Sequence, residues 1–161
     1  AESHLQASLK VLGVPVVILR FFNIVGAYDL TPHLVPDIVD QVLDESLTEV
    51  RLGNLSTIRD YIGVDNICSV IEHFLISRNH VDLNIVNVGT GEGLSGDQVF
   101  DLVAKISRTN KVKVIDKERF RVSDRPVQIA DNTKLIGQIG EITFTNFEKS
   151  LTDYLNWRGI L

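Results

Sequence analysis

The chain has 161 residues, 44% of them apolar and 23% charged, with a formal net charge of −5. That length suits one ordinary domain with a sizeable core, and the negative balance excludes a general nucleic-acid binder, which needs a basic field to engage phosphates. A single cysteine, Cys68, excludes an internal disulfide, reads as a small buried helix residue, and fits a reducing, cytoplasmic setting.

The N-terminus has no basic region followed by an apolar core, so no signal peptide is expected. The apolar runs fall well short of the ~20 residues of a membrane span, so no membrane partner is expected either. Methionine is absent, and the opening ESHLQASLKVLG reads as the middle or end of an amphipathic helix carrying Leu5, Leu9 and Leu12. Both features predict a fragment of a longer protein. Next comes VPVVILRFF, a run suited to a strand covered on both faces, followed by the loop NIVGAYD. Leu34, Val35, Ile38, Val39, Val42 and Leu43 predict an amphipathic helix from His33 to Leu43. EVRL predicts a short strand, GNLST a polar turn, and IRDYIGV a further extended piece.

Asp65 is placed to cap a helix carrying Ile67, Val70, Ile71, Phe74 and Leu75. LNIVNV predicts a strand, and Ser95 with Gln98 forms a capping box for a helix buried through Val99, Leu102, Val103 and Ile106. KVKVI predicts another strand. Thr145 and Glu148 suggest a second capping box, opening a last helix with Phe147, Leu151, Tyr154, Leu155 and Trp157. Alternating strands and helices argue for an α/β architecture. His4, His33, His73 and His80 show no metal-ligand spacing and read as surface residues, so no metal site is expected. Asp29, Asp37, Asp40 and Asp44 read as a solvated face.

Gly91, Gly93 and Gly96 stand in the spacing G-x-G-x-x-G between a strand and a helix, with Asp116 20 residues beyond the last glycine. This is the spacing of a dinucleotide-binding fingerprint. Its position argues against that role, because too little chain follows to complete such a fold. Gly89, Gly91 and Gly93 therefore read as a structural turn, and Asp116 as an ordinary strand-end acid.

Four segments carry a more specific signal: ILRFFNIVGAYD, VRLGNLSTIRDYIGVDNI, NVGTGEGLS and RFRVSDRPVQIADNTKL. Their order and spacing resemble the C-terminal part of extended short-chain dehydrogenases/reductases, the NAD-dependent epimerase/dehydratase family acting on nucleotide sugars. Within it they look most like GDP-4-dehydro-6-deoxy-D-mannose reductases, with GDP-mannose 4,6-dehydratases next. The resemblance implies an α/β fold made of late Rossmann-like sheet strands plus a mixed α/β substrate-binding region. The chain is then one unit, 1–161, lacking the N-terminal Rossmann half.

The resemblance also implies roles. Arg59 and Arg121 match arginines that contact the diphosphate, a task suited to permanently charged, bidentate guanidinium groups. Asn23 matches a residue lining the diphosphate or sugar. Leu34 and Val35 match the helix start where the base is held, and Arg51 and Asn54 fall in the base or ribose pocket. Read without the resemblance, Arg59 beside Asp60 is a surface ion pair, Arg121 belongs to a solvated charge cluster with Arg119, Asp124 and Arg125, and Asn23 is a turn residue.

The implied partner is a nucleotide sugar, a GDP-linked hexose above all, and the implied parent is a homodimer using NAD or NADP. The implied reaction reduces a GDP-4-keto-6-deoxyhexose at C4, with dehydration or epimerisation as alternatives and a non-catalytic binding or interaction module as the reading from another class. Tyr28, Tyr61 and Tyr154 lack a lysine four residues later, so the Tyr-x-x-x-Lys acid/base pair of that family is missing from this sequence. No cofactor binding and no activity are expected of this piece alone. It departs from the pattern at Ala27 and Val122, where relatives carry proline, and at GQIGEITF before the last helix.

Overall fold

The β-branched run VVILRF forms the first strand of a computed structural model that describes residues 2–5, 16–77, 83–140 and 143–160. The predicted first helix lies outside these residues except at 2–5, which are helical. In chain order the strands and helices are β1 (Val16–Phe21), β2 (Asn23–Val25), α1 (Leu34–Leu43), β3 (Glu49–Leu52), β4 (Ile58–Arg59), β5 (Tyr61–Gly63) and α2 (Val64–Ile76). They continue with β6 (Leu83–Val88), β7 (Leu94–Ser95), α3 (Gly96–Ser107), β8 (Val112–Ile115), β9 (Val127–Gln128), α4 (Thr133–Ile139) and α5 (Phe147–Trp157).

Three parallel pairs dominate. β1 runs beside β6 in the register Val16↔Leu83 to Phe21↔Val88, β2 beside β5, and β3 beside β8. A fourth, mixed sheet has the order β7-β4-β9, with β4 antiparallel to β7 and parallel to β9. Parallel neighbours need long crossovers, and helices supply them here.

Two apolar cores follow from this layout. In one, Val86 and Val88 of β6 pack with Ile67 and Val70 of α2 and Leu135 of α4. In the other, α1, α3 and α5 close over Val50 and Leu52 of β3 through Ile38, Val39, Val99, Val103, Leu151 and Leu155. Each fully buried aliphatic side chain contributes about 1.5–3 kcal/mol.

Local signals fare differently at the helix ends. The Ser95–Gln98 box is present in both directions, with the Ser95 amide donating to Gln98 Oε1 at 2.8 Å and the Gln98 amide to Ser95 Oγ at 3.2 Å. α2 instead begins at Val64 with Gly63 as its cap, which moves Asp65 into the first turn. α5 is capped by Asn146, whose side chain accepts from the Lys149 amide at 2.9 Å. Thr145 is unavailable for that role because its amide and carbonyl are both bonded to the Asn66 side chain, at 3.0 and 2.9 Å. Cys68 is exposed, since the buried stripe of α2 runs through Ile67 and Val70 and leaves position 68 outside.

The segment expected as one extended piece is two strands in different sheets, joined at Asp60. The Asp60 amide donates to the Gln128 carbonyl at 3.0 Å, and its own carbonyl accepts from the Asn23 amide at 3.0 Å. Its carboxylate, fully buried, accepts from the Thr90 amide (2.9 Å) and hydroxyl (2.7 Å), the Gly91 amide (2.9 Å) and the Ala130 amide (3.2 Å). An ionised carboxylate is acceptor-only, so it can satisfy a cluster of donors that an amide side chain cannot.

Asp60→Asn turns an NH2 group toward those amides and is expected to destabilise the fold by about 2–4 kcal/mol. Urea unfolding at unchanged m-value measures this, and Thr90 and Gly91 should show the largest loss of amide-exchange protection.

Candidate functional site

A cleft of about 790 Å³ opens where β2 and the loop after it, the start of α1, the loop after β3 and the segment 119–124 converge. Its walls are set by strand geometry. Successive residues of an extended chain face opposite sides, so Arg59 reaches the cleft while Asp60 turns inward to hold the glycine loop.

Five of the sequence-predicted residues line this cleft together: Asn23, Leu34, Asn54, Arg59 and Arg121. Val35 does not, being buried in the core behind α1. Arg51 does not either: its side chain pairs with Glu49, and its carbonyl accepts from Gln41 at 3.0 Å. The Asn54 side chain is engaged in its own turn, accepting from the Ser56 amide (3.0 Å) and hydroxyl (2.7 Å). Arg59 pairs with Asp124 rather than with the neighbouring Asp60, and its Nη1 donates to the Ile58 carbonyl at 2.8 Å. Arg121 makes no hydrogen bond or ion pair among the described residues and is exposed to the cleft.

Several lining residues were not foreseen. Asp29, Asp37 and Asp40, expected on a solvated face, all border the cleft and are all engaged. Asp29 accepts from the Thr31 amide at 3.1 Å and meets the His33 ring at 2.6 Å. Asp37 holds Arg119 at 2.8 Å and Gln41 at 3.0 Å, and Asp40 holds Arg158 at 2.6 Å. Of this group only Asp44 stays clear of the cleft, where it caps a turn at Ser46. The available signal was Asp-x-Thr-x-His, in which an acid, a hydroxyl two residues on and a ring four residues on close a local knot. Arg119 comes close because Gly53 has no side chain: a Cβ there would lie 2.8 Å from the Arg119 carbonyl oxygen.

The loop is also braced from behind. Tyr154 Oη donates to the Asp29 carbonyl at 2.9 Å and accepts from Arg158 at 3.1 Å, while Tyr28 packs on Trp157 with ring centroids 5.1 Å apart. Tyr28 adopts φ +68°, a left-handed conformation that this contact holds in place. On the cleft wall, burial pushes the Tyr61 phenol up to about 12, against the opposing charge of Arg59.

A dinucleotide cradle is not what the glycine loop forms. A Cβ at Gly89 would lie 2.5 Å from the Ala130 side chain, and one at Gly93 the same distance from Ile58. At Gly96 it would lie 2.9 Å from Leu55. These glycines admit the protein's own chain, not a pyrophosphate, and none of them lines the cleft. Gly91 takes φ +80°, as the turn requires. This loop therefore does not fit the pyrophosphate of a dinucleotide, and no hydride-transfer step is assigned to it. Among the described residues no group of three or more His, Cys, Asp or Glu is placed to hold a metal, and no helix is long and apolar enough to cross a membrane.

The family described as GDP-mannose 4,6 dehydratase matches residues 2–153. The chain belongs to that family, within the NAD-dependent epimerase/dehydratases of the extended short-chain dehydrogenase/reductase type. A GDP-6-deoxy-D-talose 4-dehydrogenase of Aggregatibacter actinomycetemcomitans is 32% identical over 140 residues, which are 86% of this chain and 46% of that protein. A UDP-glucose 4-epimerase of Thermotoga maritima, solved with UDP-glucose, superposes with TM-score 0.84 at 23% identity, over 98% of this chain and 50% of that one. The corresponding enzyme of Thermus thermophilus, solved with NAD, gives 0.81 at 23% identity over 99% and 52%. At such identities the structures establish the fold, a Rossmann-like extended α/β type. The chain spans about half the length of the solved relatives and less than half of that curated one.

Burial alone pushes the Asp29 carboxyl up, but the Thr31 hydroxyl and amide and the His33 ring outweigh it and hold the group below its ordinary range. A lowered folded pKa contributes stability that is complete above the unfolded value and lost as pH falls through the folded one. The stability advantage of wild type over Asp29→Asn is therefore expected to be present above the ordinary carboxylate range and to shrink as pH falls through and below it. Denaturant titrations across that range check it.

Proposed function

We propose that this chain is the C-terminal, nucleotide-sugar-binding part of an NAD(P)-dependent enzyme that acts on a GDP-linked 4-keto-6-deoxyhexose, reducing it at C4. One observation carries the reading: Arg59 from β4 and Arg121 from the distant segment 119–124 reach the same cleft, beside Asn23. Two guanidinium groups from separate segments suit a diphosphate, since each can donate two parallel hydrogen bonds to its oxygens. Leu34, at the head of α1, gives an apolar wall against which a base can lie.

The similarity to a GDP-6-deoxy-D-talose 4-dehydrogenase and to the GDP-mannose dehydratase family supports a guanosine sugar over a uridine one. In this reading the cofactor and the proton donor come from the remaining part of the parent, and this chain supplies binding and orientation. Holding the ketone in near-attack geometry is itself a large share of such catalysis.

Calorimetric titration of the chain with GDP, UDP and NAD tests the proposal, and GDP is expected to bind most tightly. Arg121→Ala should weaken GDP about 10- to 100-fold, the loss expected for charge-assisted phosphate contacts. Binding of NAD without GDP would sink the reading. For the complete parent, nicotinamide absorbance should fall when NADPH, GDP-mannose and a 4,6-dehydratase are supplied together.

A further inference from the structure

The charged residues lining the cleft pose an electrostatic problem for any anionic ligand. They comprise four carboxylates (Asp29, Asp37, Asp40, Asp124) against three guanidinium groups (Arg59, Arg119, Arg121). A diphosphate adds at least two more negative charges, so the site needs cations that its own carboxylates have already claimed.

The four carboxylates are not equally committed. Asp29 is fixed by Thr31 and His33, and Asp40 by Arg158. Asp37 sits on α1 and is held by Gln41 as well as by Arg119, which is itself tied to the Arg51 carbonyl. Asp124 differs. It lies in the irregular stretch between a 3-10 turn (Lys117–Arg119) and β9, and Arg59 is its sole side-chain partner among the described residues. Arg59 stands on β4 with its side chain only 14% exposed, so an unpaired charge there is costly.

Resting on the nucleotide-sugar reading, we infer that Asp124 is an exchangeable counter-ion that occupies Arg59 until a diphosphate displaces it, and so sets how tightly the cleft holds a diphosphate. A ligand with a single phosphate is satisfied by Arg121 alone and leaves the Arg59–Asp124 pair closed. A diphosphate engages Arg121 first and brings a second phosphate that competes with Asp124 for Arg59. Asp124 keeps Arg59 neutralised in the empty cleft and weakens every ligand that must displace it. It is a competitor for Arg59, not a ligand contact.

The test titrates the chain, as wild type and Asp124→Asn, with GDP, GMP and inorganic pyrophosphate at one ionic strength. Asp124→Asn is expected to bind pyrophosphate and GDP about fivefold more tightly with GMP little changed, so that the GDP-to-GMP affinity ratio rises. Adding Arg59→Ala should abolish that gain, since the variant then has no cation to release. Thermal unfolding of each variant confirms that the fold persists.

If wild type binds GDP and Asp124→Asn binds it equally or more weakly, Asp124 is a contact or a bystander: this inference falls and the nucleotide-sugar reading stands. If GDP fails to bind but pyrophosphate binds and tightens in the variant, the inference stands and the reading falls. If none of the three ligands binds either protein, both are overturned.

Discussion

The buried carboxylate of Asp60 is the constraint on which both the fold and the cleft depend. Its backbone joins β2 to the end of β9, and its side chain gathers amides from the glycine loop and from Ala130. Burying a charge costs several kcal/mol unless donors replace the lost water, and here four do so. The arrangement is demanding in the other direction too, because each of those amides would be orphaned without it. Segments far apart in sequence are thereby fixed at one point. Arg59 precedes that point and Tyr61 follows it, so the position of the cleft's main cation is set by the anchoring of its neighbour.

A second constraint shapes the cleft itself. Its carboxylates are spent internally, Asp29 on its own loop and Asp40 on the last helix, so the rim holds its form without a ligand. The C-terminal helix takes part in this through Tyr154, whose hydroxyl bonds the Asp29 carbonyl. Burial raises the Tyr154 phenol, Arg158 opposes that shift, and Asp29 and Asp40 add to it. The phenol thus stays neutral and donating at physiological pH. Packing of α5 against the rim and the chemistry of the rim are one structure.

Much of the fold was legible in the sequence. VVILRF and LNIVNV are strands, as β-branched apolar runs favour, but β1 is only partly covered and its last two residues are exposed. Ser95 and Gln98 cap a helix because that motif is local and needs nothing from the rest of the chain. Where tertiary partners intervene, local signals mislead. Thr145 looked like a cap, but Asn66 claims it from 79 residues away. Asp37 looked solvated because its cationic partner Arg119 comes from a distant segment; Asp40 is indeed exposed, though it too is claimed from afar, by Arg158. Arg59 and Asp60 read as an ion pair only while the alternation of an extended chain is ignored. Their side chains face opposite ways, and each finds a partner in a distant segment.

The glycine loop shows why spacing underdetermines chemistry. A glycine permits close approach but does not say what approaches. In a dinucleotide cradle the visitor is a pyrophosphate; around Gly89, Gly93 and Gly96 it is Ala130, Ile58 and Leu55 of the same chain. The two cases share a strand, a turn, a capped helix and even a distant acid. They differ in which surface the missing side chains expose, and that is decided by elements far along the chain on either side. In this chain the free amides at the loop are turned toward Asp60, an internal anion that occupies the role a phosphate would otherwise take. The physics of anion capture is present at the loop, and it has been used for folding. Arg59 and Arg121 face the cleft instead, on the side of the strand that Asp60 leaves open.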